Sequence, residues 1–280
     1  MALAVLLSGH AHTAGAAPAA GTAGAAGASR PTGASPEAAK PQKLTAGEII
    51  ERNVAARGGL AAWHGVRTLA TSGHMDIGGR DSIEVPFRLE MKRPRKLRFQ
   101  LEFQGKRAVQ IYDGAHGWKA RQYLGRDDTE PYSPQEQQQA ADEQELDGPL
   151  VDYKSKGTTV ALEGTEEVEG HAAYKLKLTL KNGSVRRDWI DARSFLELKL
   201  EGQPRRLDGR MHDVEVYYRD YRPVAGLMIP YVLETAVQGV RPGVKATHKM
   251  TIEKVEVNPK IDDSVFTRPQ ALTAASAGSR

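Results

Sequence analysis

Residues 87–103 read FRLEMKRPRKLRFQLEF, two short segments in which large apolar residues alternate with polar ones. The apolar residues occupy every second position, at Phe87, Leu89 and Met91, and again at Leu97, Phe99, Leu101 and Phe103. Because successive side chains of a strand point to opposite faces, this pattern predicts two strands with one dry and one wet face. The basic run 92–98 straddles a proline, and we interpret it as the hairpin connection between the two strands.

The same period of two continues along much of the chain, with turn signals such as Asn182-Gly183 between the segments. We predict about ten strands, and two more after them, near residues 70–76, 83–92, 96–104, 107–113, 117–123, 158–166, 172–181, 184–190, 194–201, 210–221, 227–238 and 244–257. Helices do not alternate with these strands, so the pattern favours a mainly β fold with one large antiparallel sheet over a parallel α/β fold.

Three helical segments accompany the predicted sheet. Thr45-Ala46-Gly47-Glu48 matches a capping box and predicts a helix over 45–57. Residues 60–66 predict one more helical turn that carries Trp63 toward the core. Pro134 suits a first helical turn and predicts a polar lid helix over 134–146, with a solvated loop as the alternative.

The dry face of such a sheet carries too much apolar surface to stand exposed. The predicted helices offer few large apolar residues to cover it, so we expect an incompletely filled apolar cavity that suits acyl chains. Leu89, Met91 and the four apolar residues of 97–103 are candidates for its lining. Trp118 is a further candidate, although core packing also explains it. A fully self-filled β core is the alternative.

Composition excludes several classes of function. The net charge is +4 with interspersed signs, which argues against a nucleic-acid partner. Cysteine is absent, so the sequence has no disulfide framework, thiolate zinc site or cysteine nucleophile. The eight histidines are scattered, and the common metalloprotease, serine-hydrolase and phosphate-loop motifs are missing. We therefore expect no enzyme, metal or cofactor, with a spatially assembled active site as the alternative.

The termini differ in composition from the predicted domain. Residues 1–7 are apolar and Ala14-Gly15-Ala16 matches a cleavage pattern, so we interpret residues 1–42 as a partial signal peptide followed by a disordered Ala/Gly/Pro-rich tether. A disordered Ala-rich tail is the alternative. Residues 43–270 form the predicted domain, and 271–280 a disordered tail. The acidic stretches at 126–128 and 261–263 are interpreted as turns, the second capping a short terminal element.

Several short motifs follow one another along the chain: Lys92-Arg93-Pro94, Lys96-Leu97-Arg98-Phe99, Tyr112-Asp113-Gly114 with Trp118 beyond it, Val257-Asn258-Pro259 and Phe266-Thr267-Arg268-Pro269. In this order they resemble the LolA-like family of periplasmic lipoprotein carriers. The resemblance covers roughly residues 45–270. It implies an unclosed half-barrel, a large antiparallel curved sheet with an N-terminal helix and a lid helix over its concave face.

The resemblance also implies a function. It implies a periplasmic, exported and monomeric carrier that shields acyl chains of lipoproteins or lipids, with an inner-membrane donor and an outer-membrane acceptor as partners. Arg93 matches the family arginine that ties the lid down through helix carbonyls. The second half of the chain, around 219–230, departs from a minimal carrier and is similar to a broader branch. A lipid- or lipoprotein-sensing module that regulates a membrane or envelope-stress partner, as relatives of this fold do, is an open alternative.

Overall fold

The structure is a computed structural model that describes residues 42–76, 83–122, 126–143, 145–207, 210–240 and 247–269. The predictions for residues 1–41 and 270–280 lie outside these ranges. Within the described ranges, thirteen strands form one antiparallel sheet, which confirms the predicted fold class. They are β1 Thr68–Asp76, β2 Glu84–Lys92, β3 Lys96–Phe103, β4 Lys106–Tyr112, β5 Gly117–Arg121, β6 Arg126–Pro131, β7 Thr159–Val168, β8 His171–Thr179, β9 Val185–Asp191, β10 Glu197–Leu207, β11 Arg210–Val224, β12 Leu227–Val237 and β13 Thr247–Val257.

The strand order explains why the sheet is not a closed barrel. It runs β6-β5-β4-β3-β2-β1-β13-β12-β11-β10-β9-β8-β7, so the first six strands step outward from the middle and the last seven return to it. The two edge strands, β6 and β7, are consecutive in the chain. Residues 132–158, here called the connecting segment, therefore have to pass from one edge of the sheet to the other.

Three α-helices in the described part of the chain accompany the sheet, α1 Ala46–Ala56, α2 Leu60–Gly65 and α3 Pro134–Glu143, the last inside the connecting segment. The capping box at the start of α1 is confirmed, since the backbone amide of Thr45 donates to Glu48 Oε2 at 2.7 Å and the amide of Glu48 donates back to Thr45 Oγ1 at 3.3 Å. Trp63 in α2 is fully buried, as predicted. A polar helix is likewise found in the predicted lid region, although α3 ends at Glu143.

One predicted turn is wrong. Arg126, placed in a turn because of the acidic residues after it, begins β6, and Thr129 pairs with Ala120 of β5. An edge strand has only one partner and needs no apolar face to pair through its backbone, so alternation does not reveal it. The second acidic stretch behaves as predicted: Asp262 caps a short 3₁₀ helix, Asp263–Phe266, by accepting from the amide of Ser264.

Helices α1, α2 and α3 cover one face of the sheet, the concave face. Residues opposite each other on neighbouring strands share a face, and the pairs Leu69–Met91, Leu89–Phe99 and Tyr218–Leu233 place their side chains there. The main buried cluster spans β1–β4 and β10–β13 and includes Trp63 of α2. A second buried cluster joins β8 and β9 to α1 and to the connecting segment through Ile49, Ile50 and Leu150.

Candidate functional site

Six of the predicted ligand-binding residues lie together on the concave face. Cross-strand pairing sets Leu89 opposite Phe99 and Met91 opposite Leu97, and Phe87 opposite Leu101. The first four are buried, each with 2% or less of its surface exposed. Leu101 and Phe103 are partly buried and pack against the same cluster. The alternation in 87–103 therefore identifies one continuous apolar surface.

Only a few large side chains of α2 and the connecting segment, which we together call the cover, pack over this surface. From the connecting segment, Ala140, Leu146 and Val151 join the main cluster, and from α2 Trp63 does. Within the described residues this cover leaves the apolar side chains of 89–99 closed off from solvent, so the expected open apolar cavity is not seen among them. The closed arrangement corresponds to the self-filled alternative. A ligand on this face requires the cover to move.

Trp118 does not belong to this surface. It pairs with Ile111 of β4, whose partner Arg98 lies on the opposite, convex face. There it packs beside Phe266 of the C-terminal 3₁₀ helix. The assignment of Trp118 to the same cavity as Phe99 is therefore wrong, because the two side chains stand on opposite faces of the sheet.

Arg93 fastens the cover to the turn between β2 and β3. Its guanidinium donates to the carbonyl of Val66 at 2.8 Å and to that of Trp63 at 3.0 Å, both at the C-terminal end of α2. It also donates to Asp147 Oδ2 at 2.7 Å. Helix C-terminal carbonyls have no partners inside the helix, so a five-donor guanidinium is well suited to satisfy them. The helix that Arg93 holds directly is α2, and it reaches the connecting segment through Asp147.

A second arginine of the same turn holds α3. Arg95 donates to the carbonyl of Ala141 at 3.1 Å and to Glu145 Oε1 at 2.8 Å. Lys156 then lies 2.7 Å from Glu145 Oε2 and 2.7 Å from Asp147 Oδ1, which ties both carboxylates together. We call Arg93, Arg95, Glu145, Asp147 and Lys156 the latch.

The latch carboxylate Asp147 is nearly inaccessible, with 2% of its side chain exposed. Burial opposes its ionisation most strongly, but the hydrogen bonds and charges of Lys156 and Arg93 outweigh burial and lower its pKa. Sequence reasoning found Arg93 and missed the other four latch residues. The signal was present as two arginines flanking Pro94 and two carboxylates just before Gly148-Pro149, but pairing them needs the fold.

Comparison with known proteins rests on structure, since no family model and no curated protein matches the sequence. A LolA superfamily protein from Nitrosomonas europaea superposes with a TM-score of 0.53 over 80% of this chain and 98% of its own, at 14% identity. The chain has the LolA superfamily fold. A DUF1329 family protein from Desulfovibrio piger superposes with a TM-score of 0.51 at 14% identity, covering 79% of this chain and 96% of its own. A domain assigned to outer membrane lipoprotein sorting, from Vibrio parahaemolyticus, gives 0.50 at 12% identity, covering 79% and 95%.

This LolA-like sheet contains buried charges that the sequence did not indicate. Asp188 of β9 stands on the concave face between Leu176 of β8 and Leu200 of β10, at the boundary of the two apolar clusters. Its side chain is 2% exposed and lies 3.6 Å from Arg186 Nε. Burial raises the pKa of Asp188 to about 6 against the charge of Arg186, and the nearby Glu197 adds to that rise.

A second buried ion pair lies beside Asp188. Arg57, at the end of α1, approaches Glu197 Oε1 at 3.6 Å and stacks over the ring of Trp63 with its guanidinium carbon 4.6 Å from the centroid. It also donates to the carbonyl of Asp147 at 3.1 Å. Removing one member of such a pair leaves a buried charge uncompensated, so these contacts fix where α1 docks on the sheet.

Two further features bear on possible sites. Among the described residues, no group of three or more histidine, aspartate or glutamate side chains is placed to hold a metal ion. None of the described helices is both long and apolar enough to cross a membrane.

Proposed function

We propose that this chain binds the acyl chains of lipids or lipoproteins on its concave face, beneath α2 and the connecting segment, as a non-catalytic monomeric carrier. The observation that supports this most is the combination of a large apolar face with a cover whose rim is held by the polar contacts of the latch. A protein that needed only a stable core would gain more from a cover rich in large apolar residues.

Water offsets part of the free energy that is lost when the latch breaks and the cover opens. Arg93 and Arg95 have 26% and 45% of their side chains exposed, so water can replace part of their interaction energy when the latch breaks. The more exposed Arg95–Glu145 pair contributes about 1 kcal/mol. The Arg93–Asp147 pair, whose carboxylate is buried, contributes more. The opened face would expose Leu89, Leu97 and Phe99, and apolar surface of that size is unstable in water unless a ligand covers it.

The apolar chemistry of this surface favours a hydrocarbon ligand. The concave residues of β2 and β3 supply apolar contacts without polar groups among them, which suits a hydrocarbon chain better than a ligand rich in hydrogen-bonding groups. The domain from Vibrio parahaemolyticus with the same fold is assigned to outer membrane lipoprotein sorting. We therefore propose that the protein is exported to the periplasm, where it carries acylated cargo from an inner-membrane donor to an outer-membrane acceptor.

Native mass spectrometry of protein purified without detergent tests this proposal. We expect an adduct of lipid mass, and organic extraction should release an acylated molecule. Phe103→Glu, at the partly buried end of the concave surface, should abolish the adduct. Gln100→Glu is the matched control, since it adds the same charge to the convex face of the same strand. An adduct that persists in Phe103→Glu, or no lipid uptake by wild-type protein from vesicles, would contradict the proposal.

A further inference from the structure

A cavity of about 340 Å³ lies at the rim of the concave face, where the connecting segment meets the turn between β8 and β9. Its size is at the lower end of the range typical of ligand sites. The charged and polar residues in its lining include Arg95, Glu145, Lys156, Thr158, Lys181 and Arg186. Unlike the concave face, this cavity is lined by cations.

The balance of charge in the cavity favours an anion. Four cationic side chains line it against the single carboxylate of Glu145, and two more carboxylates, Asp147 and Asp188, stand behind Lys156 and Arg186. Lys181 is exposed and forms no ion pair with the part of the chain that the structure describes. A cation that the protein leaves without a carboxylate is available to an anionic ligand.

Thr158 adds a hydrogen-bonding group to this cavity. The residue is 5% exposed, and its hydroxyl makes no hydrogen bond to the described residues, although its backbone amide donates to the carbonyl of Tyr153. The hydroxyl is not sealed from solvent, and a hydroxyl can donate to an anionic oxygen. A ligand oxygen between Thr158 and Lys181 would accept a hydrogen bond from it.

The cavity adjoins the surface that we propose for acyl chains. Arg186 lines the cavity and pairs across the sheet with Leu178, so its side chain shares the concave face with Leu178 and Leu176. An anionic group in the cavity can therefore be the head of a molecule whose apolar part lies on the concave face. We propose that the cavity receives the phosphate headgroup of an anionic phospholipid whose acyl chains lie beneath the cover, an inference that rests on the function proposed above.

The headgroup would act on the latch. Arg95 and Lys156 both bind Glu145, and both line the cavity. A phosphate that enters the cavity competes with the Glu145 carboxylate for these two cations. Binding of the headgroup thus weakens the contact that holds the end of α3, which links recognition of the lipid to opening of the cover.

Two fluorescent lipids with identical acyl chains test this inference on the full chain, one phosphatidylglycerol and one diacylglycerol. We expect wild-type protein to bind phosphatidylglycerol more tightly, with a preference that shrinks as salt rises. Lys181→Ala should weaken phosphatidylglycerol binding by about fivefold and leave diacylglycerol binding unchanged. Lys177→Ala is the matched control, because Lys177 lies on the convex face of β8, four positions before Lys181, and its loss should change neither affinity.

The outcomes separate this inference from the function on which it rests. Equal affinity for the two lipids, or a preference that survives Lys181→Ala and Thr158→Val, overturns the headgroup site and leaves acyl-chain binding intact. Failure to bind either lipid overturns both. Calorimetry with inorganic phosphate distinguishes the source of the anion. Tight phosphate binding without any preference between the lipids identifies a free-phosphate site and contradicts the proposal.

Discussion

The guanidinium of Arg93 and the carboxylate of Asp147 meet at 2.7 Å and join the turn between β2 and β3 to the segment that links the two edges of the sheet. The same guanidinium satisfies two carbonyls at the end of α2. One side chain therefore holds both parts of the cover. Its loss is expected to affect α2 and the connecting segment together.

Arg93→Leu should shift the cover toward its open state by about tenfold, because charged hydrogen bonds each contribute about 1.5–3 kcal/mol and part of that is recovered from water. We expect faster amide hydrogen exchange in α2 and in residues 145–158, and faster release of a bound fluorescent lipid. Hydrogen exchange with mass spectrometric readout and stopped-flow release measure the two effects.

Arg95→Leu and Arg88→Leu serve as controls for that experiment. Arg95 binds Ala141 and Glu145, so its loss should raise exchange near the end of α3 and spare α2. Arg88 lies on the convex face and pairs with Glu90, so its loss should change neither exchange in the cover nor release. If Arg93→Leu behaves like Arg88→Leu, Arg93 is an ordinary surface charge.

Asp147→Asn should lower the free energy of unfolding by about 2–3 kcal/mol at neutral pH, since it breaks a buried ion pair with Arg93 and Lys156. The folded-state pKa of Asp147 lies below its ordinary value of 3.8. Its contribution is therefore complete above that value and is lost as the pH falls through the lowered pKa. Urea unfolding at a series of pH values should show the two proteins converging below pH ~4. A constant difference down to the lowest pH would show that ionisation of Asp147 is not involved.

Asp188 should give the opposite pH dependence. Its pKa is raised from 3.8 to about 6 by burial, so between these values the folded state binds the proton more tightly and stability falls as the pH rises. The loss amounts to about 3 kcal/mol across this interval. In Asp188→Asn that fall should be absent, which leaves the variant with a flatter stability profile from pH 4 to 6. Parallel profiles for the two proteins would contradict a raised pKa.

The strands and the apolar face could be predicted from the sequence because their signal is local. Alternation in 87–103 places Leu89 and Phe99 on one face whatever the partner strands are, and Asn182-Gly183 marks a tight turn without reference to the rest of the chain. Edge strand β6 was not predicted because its residues show no apolar alternation. The face of Trp118 was wrong because it depends on the register of β4 and β5, which alternation within one strand does not set.

The charged parts of the site could not be predicted for a different reason. Asp147 lies 54 positions from Arg93 in the chain, and only the course of the connecting segment brings them together. Arg186 and Asp188 occupy the same strand face as the apolar Ile190, where the residue types conflict and no periodicity decides which face is buried. Contacts between distant segments set these positions, so they follow from the fold and not from local pattern.

The position of the bound acyl chain can be measured directly, because the three tryptophans divide between the two faces. Trp63 belongs to the concave cluster, whereas Trp118 and Trp189 lie on the convex face. Single-tryptophan proteins, with the other two replaced by phenylalanine, should be titrated with a lipid that carries brominated acyl chains, since bromine quenches tryptophan fluorescence only at short range. We predict strong quenching of Trp63 and no quenching of Trp118 or Trp189. Quenching of the convex tryptophans while Trp63 stays bright would contradict acyl-chain binding beneath the cover.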